Sequence, residues 1–224
     1  MSLERKKRME ILLFDLDGTL TDPGEGITRC VQYGMEALGY HEPDRKKLTP
    51  FIGPPLKDMY METCGFSEEE AARAVEKYRE RFREKGMYEN EIYEGIADML
   101  EMLKVSGKRL GVATSKPEVF AAPILEYFQI DQYFEYIVGS ELSGERVRKG
   151  DVIKEALRRF GVEEKKESVL MVGDRKHDVL GAKEAGVSCV GVLYGYGDYE
   201  ELLTAGADRV VSTVKELQEL LLAL

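Results

Sequence analysis

Residues 11–20 have the sequence ILLFDLDGTL, in which four apolar residues precede two acids, a glycine and a threonine. An apolar run without polar alternation indicates a parallel β-strand that is buried on both faces. The strand ends at Asp15, so this carboxylate lies at the carboxyl edge of the sheet, where open α/β sheets bind their ligands. Asp17 lies in the turn beyond, and Gly18 permits close backbone approach and an unusual φ. Because neighbouring carboxylates repel each other, the pattern indicates a site that shares a cation or a proton.

The composition indicates a globular protein. The chain has 224 residues, 43% of them hydrophobic and 33% charged, which fits one large domain or a core with a modest insertion. No apolar run approaches the ~20 residues that span a bilayer, and the basic residues 5–8 are not followed by a signal-peptide core. A net charge of −10 argues against a basic surface for nucleic acid. We therefore expect neither a membrane nor a nucleic-acid partner.

The cysteines indicate the compartment. Cys30, Cys64 and Cys189 are odd in number, widely spaced and form no Cys-x-x-Cys pair. This usage favours small apolar side chains in a reducing cytoplasm over disulfides or a metal site. We expect a cytoplasmic protein, either a monomer or a homodimer.

Strand and helix patterns alternate from residue 95 to the end of the chain. Repeated β–α units predict an α/β fold with a doubly wound parallel sheet. The strands are predicted at residues 109–115, 134–139, 169–174, 188–193 and 209–211, and the helices at 96–105, 117–128, 151–160, 177–185, 200–204 and 214–222.

Residues 22–91 have a helical pattern and predict an all-helical subdomain inserted after the first strand. Ser67 and Glu70 form a capping-box pattern that opens a long charged helix ending near Gly86. A rigid turn around Gly53 precedes a shorter helix. The predicted domains are a core of residues 1–21 and 92–224 and an insertion of residues 22–91, with hinges at 21–24 and 90–95.

Three predicted strands end on polar residues, namely Asp15, Thr114–Ser115 and Asp174. The carboxyl ends of parallel strands share one edge, so these side chains are expected to converge. A short hydroxyl suits a phosphate oxygen, and the amides that open the next helix near Ser115 add anion donors. Asp178 follows Asp174 by four residues and can reach the same edge. The convergence favours a phosphate site over ordinary helix capping.

An acidic set of this kind favours a hard cation with oxygen ligands. The candidate carboxylates are Asp15, Asp17, Asp174 and Asp178, without a His or Cys cluster. Mg²⁺ fits because it keeps waters and binds substrate phosphate. A basic residue is then needed for neutralisation, and the candidates are Lys149, Arg146 and Arg148.

These segments together resemble the four motifs of the haloacid dehalogenase-like superfamily, most of whose members are Mg²⁺-dependent phosphatases. The resemblance implies that Asp15 is the nucleophile and Asp17 the general acid and base, while Thr114 and Lys149 stabilise the transferring phosphoryl group. It implies further that Asp15, Asp17 through its backbone carbonyl, and Asp174 hold the metal, and that Asp178 orients a metal-bound water. Gly18, Ser115 and Gly53 are expected around the phosphate or substrate. Many family members place proline soon after the motif lysine, whereas Gly150 and Asp151 follow Lys149 here.

The resemblance also implies a substrate class. The insertion resembles the family's helical cap, whose closure excludes water and supplies substrate contacts. Its loop at Gly53 is most similar to the phosphoglycolate phosphatase and 5′-nucleotidase-like branches. Dehalogenases of the family lack an acid at the position of Asp17, so dehalogenation is disfavoured. The expected activity is hydrolysis of a small phosphorylated metabolite through an aspartyl-phosphate.

Other functions remain open at this point. A phosphomutase of the β-phosphoglucomutase type shares the core motifs. A phosphonate hydrolase would need a cap lysine, for which Lys57 is available. A receiver-like phospho-switch would share an acidic pocket, a threonine and a lysine, but receivers are shorter and lack an inserted cap.

Overall fold

A computed structural model describes residues 9–224 of the chain. The basic residues 5–8, on which the signal-peptide argument depends, lie outside the described residues. Of the described chain, residues 9–20 and 93–224 form one compact unit, and Thr21–Ile92 form a second. The assignment of a catalytic domain and a cap to these units remains a prediction, because compactness alone does not say which unit carries out chemistry.

The first unit contains a six-stranded sheet in which every neighbouring pair is parallel. Its strands, in spatial order, are β5 (Tyr136–Ser140), β4 (Arg109–Pro117), β1 (Ile11–Phe14), β6 (Val169–Gly173), β7 (Ser188–Val192) and β8 (Arg209–Val211). The strand of the opening motif, β1, therefore lies inside the sheet, and all four of its residues are buried, as its continuous apolar sequence predicts. Two further strands, β2 (Thr21–Asp22) and β3 (Glu91–Ile92), belong to the second unit.

Helices connect the strands in the predicted alternation, which confirms the doubly wound α/β class. In residues 93–224 the helix ends lie within two residues of the predicted ones, a difference that is usual where helix ends fray. The helices are α1 (Gly24–Glu36), α2 (Leu56–Cys64), α3 (Glu68–Arg81), α4 (Ile96–Val105), α5 (Glu118–Tyr127), α6 (Lys149–Phe160), α7 (Lys176–Ala185), α8 (Tyr199–Ala205) and α9 (Val214–Ala223).

Helices α6 and α7 cover one face of the sheet and fix the position of a buried lysine. Ile153 and Leu157 of α6 pack into the same apolar cluster as Leu13 of β1. A Cβ at Gly181 of α7 would lie 2.8 Å from Cβ of Lys149, at the start of α6. Because glycine has no Cβ, the two helices approach closely enough to enclose the lysine stem.

The second unit is helical and has its own aromatic core. The Tyr60 ring packs edge-on to Phe51 at 5.1 Å, and its hydroxyl donates to the Val31 carbonyl at 3.2 Å. Ser67 and Glu70 form the predicted capping box at the start of α3. The predicted long helix divides at its end, where α3 gives way to a π-helical turn at Phe82–Gly86.

One feature at the limits of the second unit differs from the sequence prediction. The segments predicted as hinges contain β2 and β3, which pair antiparallel with Thr21 opposite Ile92 and Asp22 opposite Glu91. Residues 22–91 are therefore not entirely helical. A two-residue strand is too short to give a periodic hydrophobic signal, so the pattern could not reveal it.

The remaining sequence expectations concern cysteines and membranes. None of the three cysteines, all of which lie within residues 9–224, forms a disulfide; Cys30 and Cys189 are buried, whereas Cys64 is partly exposed. Within residues 9–224, no helix is long and apolar enough to cross a bilayer.

The position of β1 inside the buried sheet predicts that Leu13→Ala strongly lowers the stability of the protein. Leu13 is fully buried, so truncation should lower the free energy of unfolding by about 2–5 kcal/mol. Leu203→Ala is the matched control, since this side chain is 54% exposed and should change stability by about 0.5 kcal/mol or less. Urea unfolding followed by circular dichroism measures both, and equal effects would contradict the placement of β1.

Candidate active site

The carboxyl ends of two adjacent strands and the start of the following helix bring the acidic residues together. Asp15 follows β1 and Asp174 follows β6, the neighbouring strand, while Asp178 lies in the first turn of α7. Each of these three buried residues offers a carboxylate oxygen within 4.8 Å of the others. The sheet topology therefore joins residues that are up to 163 positions apart in the sequence.

Lys149 lies at the centre of this acidic group. Its ammonium nitrogen is 2.9 Å from Asp15 Oδ1 and 2.8 Å from Asp178 Oδ1, and it donates to the Ala113 carbonyl at 3.0 Å. An ammonium group has three N–H donors, and these three acceptors match that number. Burial alone would lower the pKa of Lys149, but the carboxylates of Asp15 and Asp178 raise it above its ordinary value. The lysine is therefore charged at neutral pH.

The two competing basic residues have other partners. Arg146 donates to the Gly139 carbonyl at 2.9 Å and forms ion pairs with Glu118 and Glu141. Arg148 is 77% exposed and reaches Glu184. Of the three basic candidates, Lys149 is the one whose charged group contacts Asp15.

Asp17 has a different basic partner, which the sequence analysis did not identify. Its Oδ2 lies 2.8 Å from the ammonium of Lys116, near the end of β4. Burial raises the pKa of Asp17 above its ordinary value, while the Lys116 charge acts in the opposite direction. The sequence signal for this contact is Lys116 itself, which directly follows Thr114–Ser115.

Asp174 is held by the loop after β7, which the sequence analysis also missed. Its Oδ2 accepts a hydrogen bond from the Tyr196 amide at 2.8 Å, and its Oδ1 accepts one from the Thr19 hydroxyl at 3.4 Å. Gly18 has φ +79°, and a Cβ there would overlap the Asp174 carboxylate. The turn after β1 thus needs glycine for two reasons, its conformation and the space for Asp174.

Asp178 combines a local and a long-range role. Its Oδ2 accepts from the Arg175 amide at 3.0 Å, which caps the start of α7, while its Oδ1 contacts Lys149. Helix capping, the simpler interpretation of an acid at this position, is therefore present together with the site contact. Both contacts fix the carboxylate, which is 1% exposed.

The remaining predicted residues lie in different environments. Thr114 is buried, and its hydroxyl oxygen accepts from the Lys116 amide at 3.2 Å, so its hydrogen remains available to a ligand. Ser115 is partly buried in the same strand. Gly53 belongs to the second unit and has φ +104°. The roles of these residues in binding remain predictions.

The site has more negative than positive charge. Asp15, Asp17, Asp174 and Asp178 carry four negative charges when ionised, and Lys116 and Lys149 carry two positive charges. Two negative charges therefore remain, which is the charge that one divalent cation would balance. Burial, with Asp178 and then Asp15 nearby, raises the pKa of Asp174 well above its ordinary value. Burial raises that of Asp178 to about 6, despite the opposing charge of Lys149. The donor set fits a metal ion with oxygen ligands.

Comparisons of this chain with a family model, with curated proteins and with solved structures agree with one another. Residues 12–192 match the sequence model described as haloacid dehalogenase-like hydrolase. A 5′-nucleotidase of Pseudomonas aeruginosa is 52% identical over 191 residues, covering 85% of this chain and 86% of that protein. The crystal structure of a predicted phosphatase from Clostridium acetobutylicum has a TM-score of 0.93 and 46% identity, covering 97% of this chain and 100% of that one.

One similar relative has a different kind of name. The tyrosine-protein kinase PtkA of Mycobacterium tuberculosis is 36% identical, covering 95% of this chain and 72% of that protein. Proteins similar to this chain are thus named both for phosphate release and for phosphate transfer.

The raised pKa of Asp178 predicts how the metal-free protein responds to pH. A carboxyl whose pKa rises from 3.8 to about 6 on folding stabilises the protein at low pH, and this contribution is lost as the pH rises through about 6. Between pH 5 and 7.5, wild type should lose about 1 kcal/mol relative to Asp178→Asn. The difference between the two proteins removes the opposite effect of His177, whose pKa is lowered by burial. Urea unfolding in EDTA measures it, and a constant difference would contradict the prediction.

Proposed function

Because the chain belongs to the haloacid dehalogenase-like hydrolase family and is a phosphatase of it, we propose that it hydrolyses a small phosphate monoester through an aspartyl-phosphate on Asp15. One observation supports this most strongly. The Asp15 carboxylate ends an internal strand, accepts from the Leu16 amide at 2.7 Å and from Lys149, and lies beside Asp174. A fixed carboxylate next to positive charge is what in-line attack on phosphorus needs.

In the first step a carboxylate oxygen of Asp15 attacks phosphorus and forms the new P–O bond. The bond from phosphorus to the ester oxygen breaks, and its electron pair leaves with that oxygen. Asp17 gives its proton to the leaving oxygen, so an alcohol departs. The positive charge of Lys149 stabilises the negative charge on the phosphoryl oxygens during the transfer, and the Thr114 hydroxyl donates to one of these oxygens.

In the second step water attacks the phosphorus of the aspartyl-phosphate. Asp17, now a carboxylate, accepts a proton from this water. The bond between phosphorus and Asp15 breaks, its electron pair returns to the carboxylate, and inorganic phosphate leaves. The raised pKa of Asp17 supports a group that can carry the proton in one step and accept it in the next.

The proposed cofactor is Mg²⁺, held by Asp15, Asp174 and the backbone carbonyl of Asp17, with Asp178 orienting a metal water. When bound, the ion would offset the repulsion between the attacking carboxylate and the phosphate dianion. The excess of two negative charges among the buried groups supports this assignment.

The substrate we propose is a nucleoside 5′-monophosphate or a similarly small ester. The relative at 52% identity, which is named a 5′-nucleotidase, supports the nucleotide choice. Phosphoglycolate remains the alternative that the sequence resemblance implies. Gly53 and the second unit are proposed to provide specificity, and a cytoplasmic location and a monomeric or homodimeric state also remain predictions.

A panel of phosphate compounds, together with a test for phosphate transfer, identifies the reaction. Nucleoside 5′-monophosphates, phosphoglycolate, pyrophosphate and sugar phosphates are assayed for released phosphate with and without Mg²⁺. Conversion of a sugar phosphate into its isomer without phosphate release would indicate the mutase alternative. Transfer from ATP to a tyrosine peptide would indicate the activity in the name of the mycobacterial relative.

Asp15→Asn tests the nucleophile. It should reduce phosphate release at least about 1,000-fold, because the amide is not a nucleophile toward phosphorus. Asp151→Asn is the matched control, since this carboxylate on α6 is 44% exposed, and the substitution should leave activity unchanged. Acid quenching followed by mass spectrometry should find phosphate on Asp15 in wild type alone, and turnover retained by Asp15→Asn would overturn the assignment.

A further inference from the structure

The side chain of Lys116 is enclosed next to the proposed general acid. It is 4% exposed, the side chain of Asp17 is 11% exposed, and the ammonium lies 2.8 Å from Asp17 Oδ2. Ion pairs between exposed side chains do little to fix geometry, whereas a buried pair holds both groups because separating them leaves a charge without a partner. The pair therefore restricts the rotation of the Asp17 carboxylate.

The second oxygen of Asp17 is in a different situation. Oδ1 is buried and accepts no hydrogen bond from any group in residues 9–224. A buried polar atom without a partner costs free energy and needs an explanation. Since Oδ2 is held by Lys116, Oδ1 is the oxygen that can exchange a proton with a bound molecule.

The two buried lysines of the site serve different carboxylates. Lys149 already has three acceptors, Asp15, Asp178 and the Ala113 carbonyl. Its three N–H donors are thus matched without Asp17. Lys116 is therefore the lysine that holds Asp17. The general acid and the nucleophile Asp15 are paired with different lysines.

Local sequence explains how Lys116 reaches this position. Pro117 follows it, and a residue before proline is restricted to extended backbone. The pairing of β4 with β5 is irregular between Ala113 and Pro117, and the Lys116 amide donates to the Thr114 hydroxyl. Irregular strand ends of this kind redirect side chains beside active sites.

We propose that Lys116 is a positioning residue that holds Asp17 through Oδ2 and so directs Oδ1 to the leaving oxygen of the substrate. This inference rests on the proposed function. When the ester bond breaks, its electron pair goes to the leaving oxygen, the proton moves there from Asp17, and the resulting carboxylate stays paired with the Lys116 ammonium.

The test compares leaving groups in wild type and Lys116→Met. The substrates are an alkyl phosphate, phenyl phosphate, 4-nitrophenyl phosphate and 2,4-dinitrophenyl phosphate. The readout is kcat/KM, which reports the steps up to and including the first irreversible step. An alkoxide needs a proton to leave, so the alkyl ester should lose about 100-fold or more. Dinitrophenolate leaves without a proton, so its ester should lose less than about 5-fold. Lys116→Arg, which retains a cation, should recover most of the activity on the alkyl ester.

Two results would overturn the inference. An equal loss for all four esters would mean that Lys116 acts on the phosphoryl group, and an unchanged alkyl ester would mean that it is not needed. Lys108→Met is the matched control, because this lysine is also buried but lies before β4 and donates to the Met9 carbonyl at 2.7 Å. Its kcat/KM values should equal those of wild type.

Two further measurements distinguish a failure of the role of Lys116 from misfolding of the variant and from a failure of the proposed function. Circular dichroism checks each variant, and if Lys116→Met does not fold, Lys116→Gln is assayed with the same four esters and the same two overturning results. If Asp15→Asn stays active, the proposed function fails. If Asp15→Asn is inactive and the leaving-group series is flat, the role of Lys116 alone fails.

Discussion

The excess of buried negative charge at the carboxyl edge of the sheet is the constraint on which the site depends. Two carboxylates 4.8 Å apart repel each other by about 3.5 kcal/mol at an effective dielectric constant near 20. Asp15, Asp174 and Asp178 are this close, so no arrangement of the surrounding fold can hold all three ionised without compensating cations. Lys149 supplies one positive charge at the centre of the group. The rest of the compensation must come from a bound cation or from protons.

This constraint explains much of the local structure. Helices α6 and α7 approach each other closely at Gly181, whose lack of a Cβ leaves room for the stem of Lys149. Gly18 makes the turn after β1 and leaves room for the Asp174 carboxylate, while the Tyr196 amide fixes the same carboxylate from the other side. The small residues and the backbone donors thus serve one purpose, to hold acids close together in fixed orientations. A fixed orientation is what lets a carboxylate act as nucleophile or ligand without reorganisation during the reaction.

The fold and half of the site could be predicted from sequence because their signals are local. The apolar run before Asp15 and the polar ends of two other strands indicated a parallel sheet and a shared edge, and the family membership predicted from these motifs is confirmed. The residues alone left Lys149, Arg146 and Arg148 as candidates, because the choice depends on the path of the loop before α6, and the family resemblance favoured Lys149. The role of Lys116 was missed for a related reason. It depends on an irregular strand end that brings a side chain to Asp17, and neither periodicity nor composition describes such a contact.

We propose that the unbalanced buried charge forms a site for a single divalent cation. Calorimetric titration of the metal-free protein with Mg²⁺ measures this most directly, in buffers of different ionisation enthalpy. We expect one Mg²⁺ per chain, with proton release that is larger at pH 6 than at pH 8, because burial raises the pKa of Asp178 to about 6 and leaves this carboxyl partly protonated at the lower pH. Asp174→Asn should weaken binding by about 10-fold or more. Absence of binding, or equal binding by wild type and Asp174→Asn, would contradict the claim.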